Sequence, residues 1–281
     1  MIGVTADESG LRRTRGAEVN LAFRTVGAGP AVLLLHGTSA NHAVWEPIAD
    51  ALASRATVIS IDQRGHGRSD KPEVGYDGAS FAADVITVLD ALGIQRAIVA
   101  GHSLGARNAW IAASRHPQRV SAVMAVDYTP YVESTVLDAL DARVAGGDRR
   151  FTDIAAIEEY LHGRYPRMPP AAVSRRAKWG YRQMEDSNWV PLAPAFAMRQ
   201  LVAGLRTPWD QEFRDVSVPM TCLRGVDSAI VSEAAWQTAQ DARPQARWVV
   251  IDDADHYVPE EQPDAVTAEL TRILDTTWPS R

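Results

Sequence analysis

Short apolar runs recur along the chain, each followed by a longer stretch of helical spacing. VNLAFRT (19–25) alternates apolar and polar positions and predicts a half-exposed strand. AVLLLHG (31–37), TVISID (57–62), AIVAGHS (97–103), AVMAVD (122–127), MTCLRG (220–225) and RWVVID (247–252) are continuous apolar runs that predict buried strands. Between them Trp45, Ile48 and Leu52 keep a helical period, as do Phe81, Val85, Val88 and Leu92, and later Val266, Leu270 and Ile273. Strands that are apolar on both sides need cover on both faces. The pattern therefore predicts an α/β fold: a mostly parallel sheet wound with helices on either side.

The alternation stops between about residue 129 and residue 210. That stretch has helical pieces, prolines (among them Pro166, Pro169, Pro170, Pro191 and Pro194) and clustered Trp, Tyr and Arg, but no convincing strand. It is too long for a connection within a compact domain. The expected organisation is a core of residues 1–128 and 210–281 carrying a helical cap, residues 129–209.

Composition narrows the function. A chain of 281 residues with 46% hydrophobic and 23% charged residues can bury a large core. Its net charge of −6 argues against a nucleic-acid partner, which needs a basic face. Lys71 and Lys178 are the only lysines, so arginine carries nearly all the positive charge. Arginine grips carboxylates with a planar fork where lysine offers a point charge. One cysteine, Cys222, allows no internal disulfide, and no Cys/His cluster has metal spacing, so no metal or other cofactor is expected. The first 18 residues lack an apolar signal region and no long apolar window occurs, so the expectation is a cytoplasmic protein without a membrane partner.

In an open α/β sheet, functional groups gather at the carboxyl ends of strands. Here the strands end in His36-Gly37-Thr38, Asp62-Gln63-Arg64-Gly65, His102-Ser103-Leu104, Asp127-Tyr128 and Gly225-Val226-Asp227, and the last leads through Asp252 to His256. A serine, a histidine and several carboxylates thus fall on one edge. Gly101-His102-Ser103-Leu104-Gly105 fits G-x-S-x-G between a strand and a helix. The flanking glycines allow a strained turn that exposes the hydroxyl, and the helix start lies beside any developing oxyanion. The five residues alone also fit an ordinary turn serine. Their setting favours a nucleophile.

These motifs, with Asp62-Gln63-Arg64-Gly65-His66-Gly67-Arg68-Ser69 between them, resemble the α/β-hydrolase fold over essentially the whole chain. The resemblance implies that His256, in DDADHYVPEE, is the base, although a solvated loop histidine has the same local sequence. It implies that Asp62, Arg64, His36 and His66 shape the loops beneath the site. His42, His116 and His162 read as surface or cap positions. In most of the family the acid follows the strand written here as MTCLRG, but the expected position holds Ser228, with Asp227 one residue early. A one-residue slip in an extended chain turns the side chain away. Some members take the acid from the preceding strand, which ends at Asp127. Asp127 is therefore the expected acid and Asp227 the alternative. The family also implies an oxyanion hole made by the backbone amides of Thr38 and Leu104.

DYTPYVES, ALDAR, GRYP and GHSLGARN, with its unusual Arg107, resemble one branch of that family. That branch cleaves the amide of a small dicarboxylate of the (acetamidomethylene)succinate type and releases acetate. The resemblance implies that Arg143, Arg164, Tyr165 and Tyr257 hold the carboxylates, although cap arginines also serve as solvated helix residues. Trp179, Tyr181 and Trp189 read as aromatic core of the cap. The expected function is a serine hydrolase for a small carboxylate-bearing acyl amide or ester. The alternatives are a lactonase or carboxylesterase for neutral substrates, and a ligand receptor on the same fold. The expected partner is a small-molecule substrate, and the sequence leaves a homodimer open.

Overall fold

The computed structural model describes residues 4–6, 10–16 and 18–279. Its strands are β1 (Val4–Ala6), β2 (Arg12–Thr14), β3 (Ala22–Val26), β4 (Ala31–Leu35), β5 (Thr57–Ile61), β6 (Ala97–His102), β7 (Val120–Val126), β8 (Tyr181–Gln183), β9 (Trp189–Pro191), β10 (Met220–Gly225) and β11 (Arg247–Ile251). The helices are α1 (Glu46–Leu52), α2 (Gly78–Ala91), α3 (Leu104–Arg115), α4 (Ser134–Ala145), α5 (Ile154–Arg164), α6 (Pro170–Gly180), α7 (Ala195–Leu205), α8 (Asp210–Asp215), α9 (Glu233–Ala242), α10 (Val258–Glu261) and α11 (Pro263–Thr277).

Nine strands form one sheet in the order β1-β2-β3-β5-β4-β6-β7-β10-β11. From β5 to β11 every neighbour is parallel, while β1, β2 and β3 add antiparallel pairs at one edge. Strands β1 and β2, at that edge, have three residues each, too short for periodicity to reveal.

Side chains along each central strand divide between the two faces. In β4, Leu33 and Leu35 join the cluster that includes Phe81 and Trp110, while Val32 and Leu34 pack with Trp45, Ile48 and Leu270. Each buried aliphatic side chain contributes about 1.5–3 kcal/mol of apolar burial, so cover on both faces stabilises the buried central strands.

The segment between β7 and α8 holds α4 to α7. Leu137 and Val144 of α4, with Met198 and Leu201 of α7, belong to the main core cluster. Helices α5 and α6 form a separate cluster around Ile157, Leu161, Tyr165 and Val173. This segment is not purely helical: β8 and β9 pair as an antiparallel hairpin. Both strands are three residues long and Pro191 ends the second, so neither produces a readable alternation. Among the described residues no helix is long and apolar enough to cross a membrane.

Candidate active site

Ser103 stands between β6 and α3 with φ +54° and ψ −116°, a backbone strain of order 1–3 kcal/mol. Two close approaches hold this turn. A Cβ on Gly101 would lie 2.0 Å from the carbonyl oxygen of Gly105, and one on Gly105 would lie 2.2 Å from that of Leu35. The Ser103 amide donates to the Val126 carbonyl at 2.8 Å, tying the turn to the end of β7. Helix α3 begins at Leu104, whose amide belongs to the helix's first turn, where N–H groups lack intrahelical acceptors.

Asp127 follows β7 with φ +51° and is fully buried. Its Oδ2 receives Nδ1 of His256 at 2.7 Å and the Ser228 hydroxyl at 2.6 Å, while Oδ1 receives the Gly225 amide at 2.9 Å. Nδ1–H facing the carboxylate leaves Nε2 as the unprotonated nitrogen of His256. His102 Nε2 donates to the His256 carbonyl at 2.6 Å and so holds the loop that carries the imidazole. Asp227 is elsewhere: it is exposed and pairs with Arg167 at 2.6 Å.

Burial pushes the Asp127 carboxyl upward, opposed first by the Ser228 hydroxyl and then by the Gly225 amide. Burial also pushes the His256 imidazolium down, and the nearby charges of Arg143 and Arg176 add to this. Both effects disfavour charge on this pair before the substrate arrives.

A cavity of about 470 Å³ brings Ser103, His256, Thr38 and Tyr257 together. Aliphatic side chains, among them Val132, Val136, Leu140, Leu205 and Ile230, make much of the remaining wall, and Arg143 and Arg176 also line it. A second cavity of about 680 Å³ lies between the cap and the loop after β4, lined by Ser39 and Asn41 and by Arg143, Arg164, Tyr165, Arg149, Tyr160 and Tyr181. Arg143 Nη1 approaches the Tyr257 hydroxyl at 3.4 Å, and Arg164 Nε approaches the Tyr165 hydroxyl at 3.2 Å. The two tyrosine rings meet edge to face with centroids 4.8 Å apart. Among the described residues neither Arg143 nor Arg164 has a carboxylate partner. Burial raises the Tyr165 phenol, but Arg176, Arg164 and Arg143 outweigh it and leave the group below its ordinary value.

The loop after β5 is scaffold. Asp62 accepts from the His42 amide at 2.7 Å, from His42 Nδ1 at 2.8 Å and from the Arg68 amide at 2.8 Å. His42 is therefore not a surface residue: it is 1% exposed, held by Asp62 and by the edge of Trp179. Its neighbours Ala43, Val44 and Trp45 are buried as well, because the short helix 42–45 packs under the cap. His162 is exposed and His116 half-buried. Arg64 makes a bidentate pair with Asp84, and His66 Nε2 accepts from the Ser39 amide. His36 Nε2 accepts from the Gln63 amide at 3.0 Å, and burial holds its pKa down at about 4. Arg107 faces away from both cavities, onto Asn108, the Gly204 carbonyl and the Phe81 ring. Tyr181 lines the cap cavity, whereas Trp189 packs in the hairpin.

Two residues of this region carry no motif signal. Arg176 and Glu260 are both buried and bind each other through two hydrogen bonds. The available signal was periodicity: Ala172, Val173, Arg176 and Ala177 share one buried helix stripe. Among the described residues no group of three His, Cys, Asp or Glu side chains could hold a metal ion.

Comparison with known proteins agrees with this fold. Residues 30–263 match the family described as alpha/beta hydrolase fold. The chain is 43% identical to the 2-(acetamidomethylene)succinate hydrolase of Mesorhizobium japonicum over 272 residues, covering 97% of this chain and 98% of that protein. It is 27% identical to an esterase of Mycobacterium tuberculosis over 91% of this chain and 86% of the esterase. A crystal structure of E-2-(acetamidomethylene)succinate hydrolase superposes with a TM-score of 0.92 at 43% identity, covering 94% of this chain and 98% of that one. The chain belongs to the α/β-hydrolase-fold family, and it is a hydrolytic enzyme.

Proposed function

We propose that this enzyme cleaves the amide or ester bond of a small acyl substrate bearing one or two carboxylates, of the (acetamidomethylene)succinate type. Ser103 attacks the acyl carbonyl while His256 takes its proton, and Asp127 orients and stabilises the imidazolium. The amides of Leu104 and Thr38 receive the developing oxyanion. Collapse of the tetrahedral intermediate breaks the C–N or C–O bond as His256 returns the proton to the leaving group. Water, deprotonated by the same histidine, then frees the acid from Ser103.

The observation that carries the substrate class is the pair of guanidiniums, Arg143 and Arg164, in the cap cavity, whose side-chain hydrogen-bond partners among the described residues are tyrosine hydroxyls. Partly buried cations without counter-charges favour an anionic ligand, and forked donors suit carboxylates. The aliphatic wall beside Ser103 suits a neutral acyl group, so the carboxylates belong on the leaving half. Similarity to the Mesorhizobium enzyme supports the same reading.

The test is a hydrolysis screen over N-acetyl and O-acetyl dicarboxylates, monocarboxylates and neutral lactones, repeated with Arg143→Ala and Arg164→Ala. The expected result is a preference for dianions that each variant lowers at least about tenfold. Equal turnover of neutral esters, insensitive to both substitutions, would establish a lactonase or carboxylesterase instead.

A further inference from the structure

The boundary between the two cavities is made of charge. Among the described residues, those that line both are Arg143 and Arg176. Arg176 comes from the buried stripe of α6 and is 5% exposed. Glu260, three residues beyond Tyr257, takes one edge of its guanidinium: Nε donates to Oε1 at 2.8 Å and Nη2 donates to Oε2. The guanidinium also lies over two adjoining tyrosine rings, with Cζ 4.8 Å from the Tyr165 ring centroid and 5.2 Å from that of Tyr257. The Nη1 group remains. Among the described residues it has no protein acceptor, and the cavities that Arg176 lines are the space left for one.

We propose that Arg176 is a third substrate-binding guanidinium, which donates Nη1 to the substrate carboxylate nearest the scissile bond. This rests on the carboxylate-bearing substrate argued above. Glu260 balances the charge of Arg176, so among the described residues the half-buried arginines left without a carboxylate in these cavities are Arg143 and Arg164, which match a dicarboxylate. Arg176 supplies direction: its fork on Glu260 and its two ring contacts hold the guanidinium still. A pair serving only to tie α6 to α10 has no need to stand in both cavity walls. Arg143 and Arg176 also both bear on His256, which places them near the reacting centre.

Removing Arg176 alone would leave Glu260 as a buried anion that repels any dianion, so the decisive variants keep the local charge balanced. They are Arg176→Lys and the double variant Arg176→Gln/Glu260→Gln. Two quantities are read. One is the ratio of kcat/KM for (acetamidomethylene)succinate to that for 4-nitrophenyl acetate. The other is the inhibition constant of succinate against the neutral ester, with thermal unfolding as the check on folding. The expected result is a ratio at least about tenfold lower and succinate inhibition weaker by a similar factor in the double variant, the loss of one hydrogen bond to a charge. Arg176→Lys, which keeps the charge but not the fork, should shift both the same way. A ratio and an inhibition constant within about threefold of the parent enzyme overturn the proposal, whatever happens to overall turnover. If Arg143→Ala lowers the ratio and the Arg176 variants do not, this inference fails and the substrate class stands. If Arg143→Ala leaves it unchanged as well, the substrate class fails.

Discussion

The Ser228 hydroxyl donates to Oδ2 of Asp127 at 2.6 Å, the same oxygen that receives Nδ1 of His256 at 2.7 Å. The Ser228 oxygen itself accepts from the amides of Ile230 at 3.2 Å and Val231 at 3.0 Å, so its single proton is committed to the carboxylate. His102, His256 and Arg224 also face Asp127, yet the Ser228 hydroxyl is the leading influence that opposes the upward push of burial. Ser228→Ala should therefore lower kcat/KM about tenfold. Removing a donor favours the protonated acid, so the acid limb of the pH profile should move to higher pH. Steady-state kinetics between pH 5 and pH 9, with Ser228→Thr as the hydroxyl-retaining control, measure both effects.

Asp127 and Asp227 are separated by place, and the proposed mechanism gives them different roles. Asp127→Asn removes the acceptor that fixes the imidazole tautomer and should cost about three to four orders of magnitude in kcat. Asp227→Asn breaks only an exposed pair with Arg167 and should change kcat less than about threefold. Loss in the second variant and not the first would move the acid to Asp227.

The pH dependence should differ between substrates. Burial first, then Arg143 and Arg176, hold the His256 imidazolium low in the free enzyme. A bound dicarboxylate brings negative charge beside those guanidiniums and makes protonation of His256 easier, so its pKa rises. Catalysis needs the neutral base, so the acid limb of kcat should lie at higher pH for a dianionic substrate than for 4-nitrophenyl acetate. Identical limbs for the two would refute this coupling.

The elbow leaves no room for side chains. Gly105→Ala would place a Cβ 2.2 Å from the Leu35 carbonyl oxygen, against the backbone of β4. The expected cost is about 3 kcal/mol, seen as a lower midpoint of thermal or urea unfolding. An unchanged midpoint would show that α3 can shift away from the sheet.

The sequence by itself determined what depends on neighbours along the chain. Continuous apolar runs specify strands buried on both faces, and Gly101 and Gly105 specify the turn under Ser103, because strand periodicity and backbone sterics act over a few residues. The candidate acid was legible only through the family resemblance, which expects an aspartate where Ser228 stands. Contacts between distant segments were not legible. His42 reads as a surface histidine until Asp62 and Trp179 enclose it, and β8 and β9 are held by pairing with each other and by the bridge from Trp189 to Phe151. Arg176 and Glu260 lie 84 residues apart. Helical spacing places Arg176 on a buried stripe, but only folding brings to it a carboxylate and two tyrosine rings. Hydrophobic periodicity specifies which face turns inward. Which buried charges meet there is decided by how the cap packs on the core.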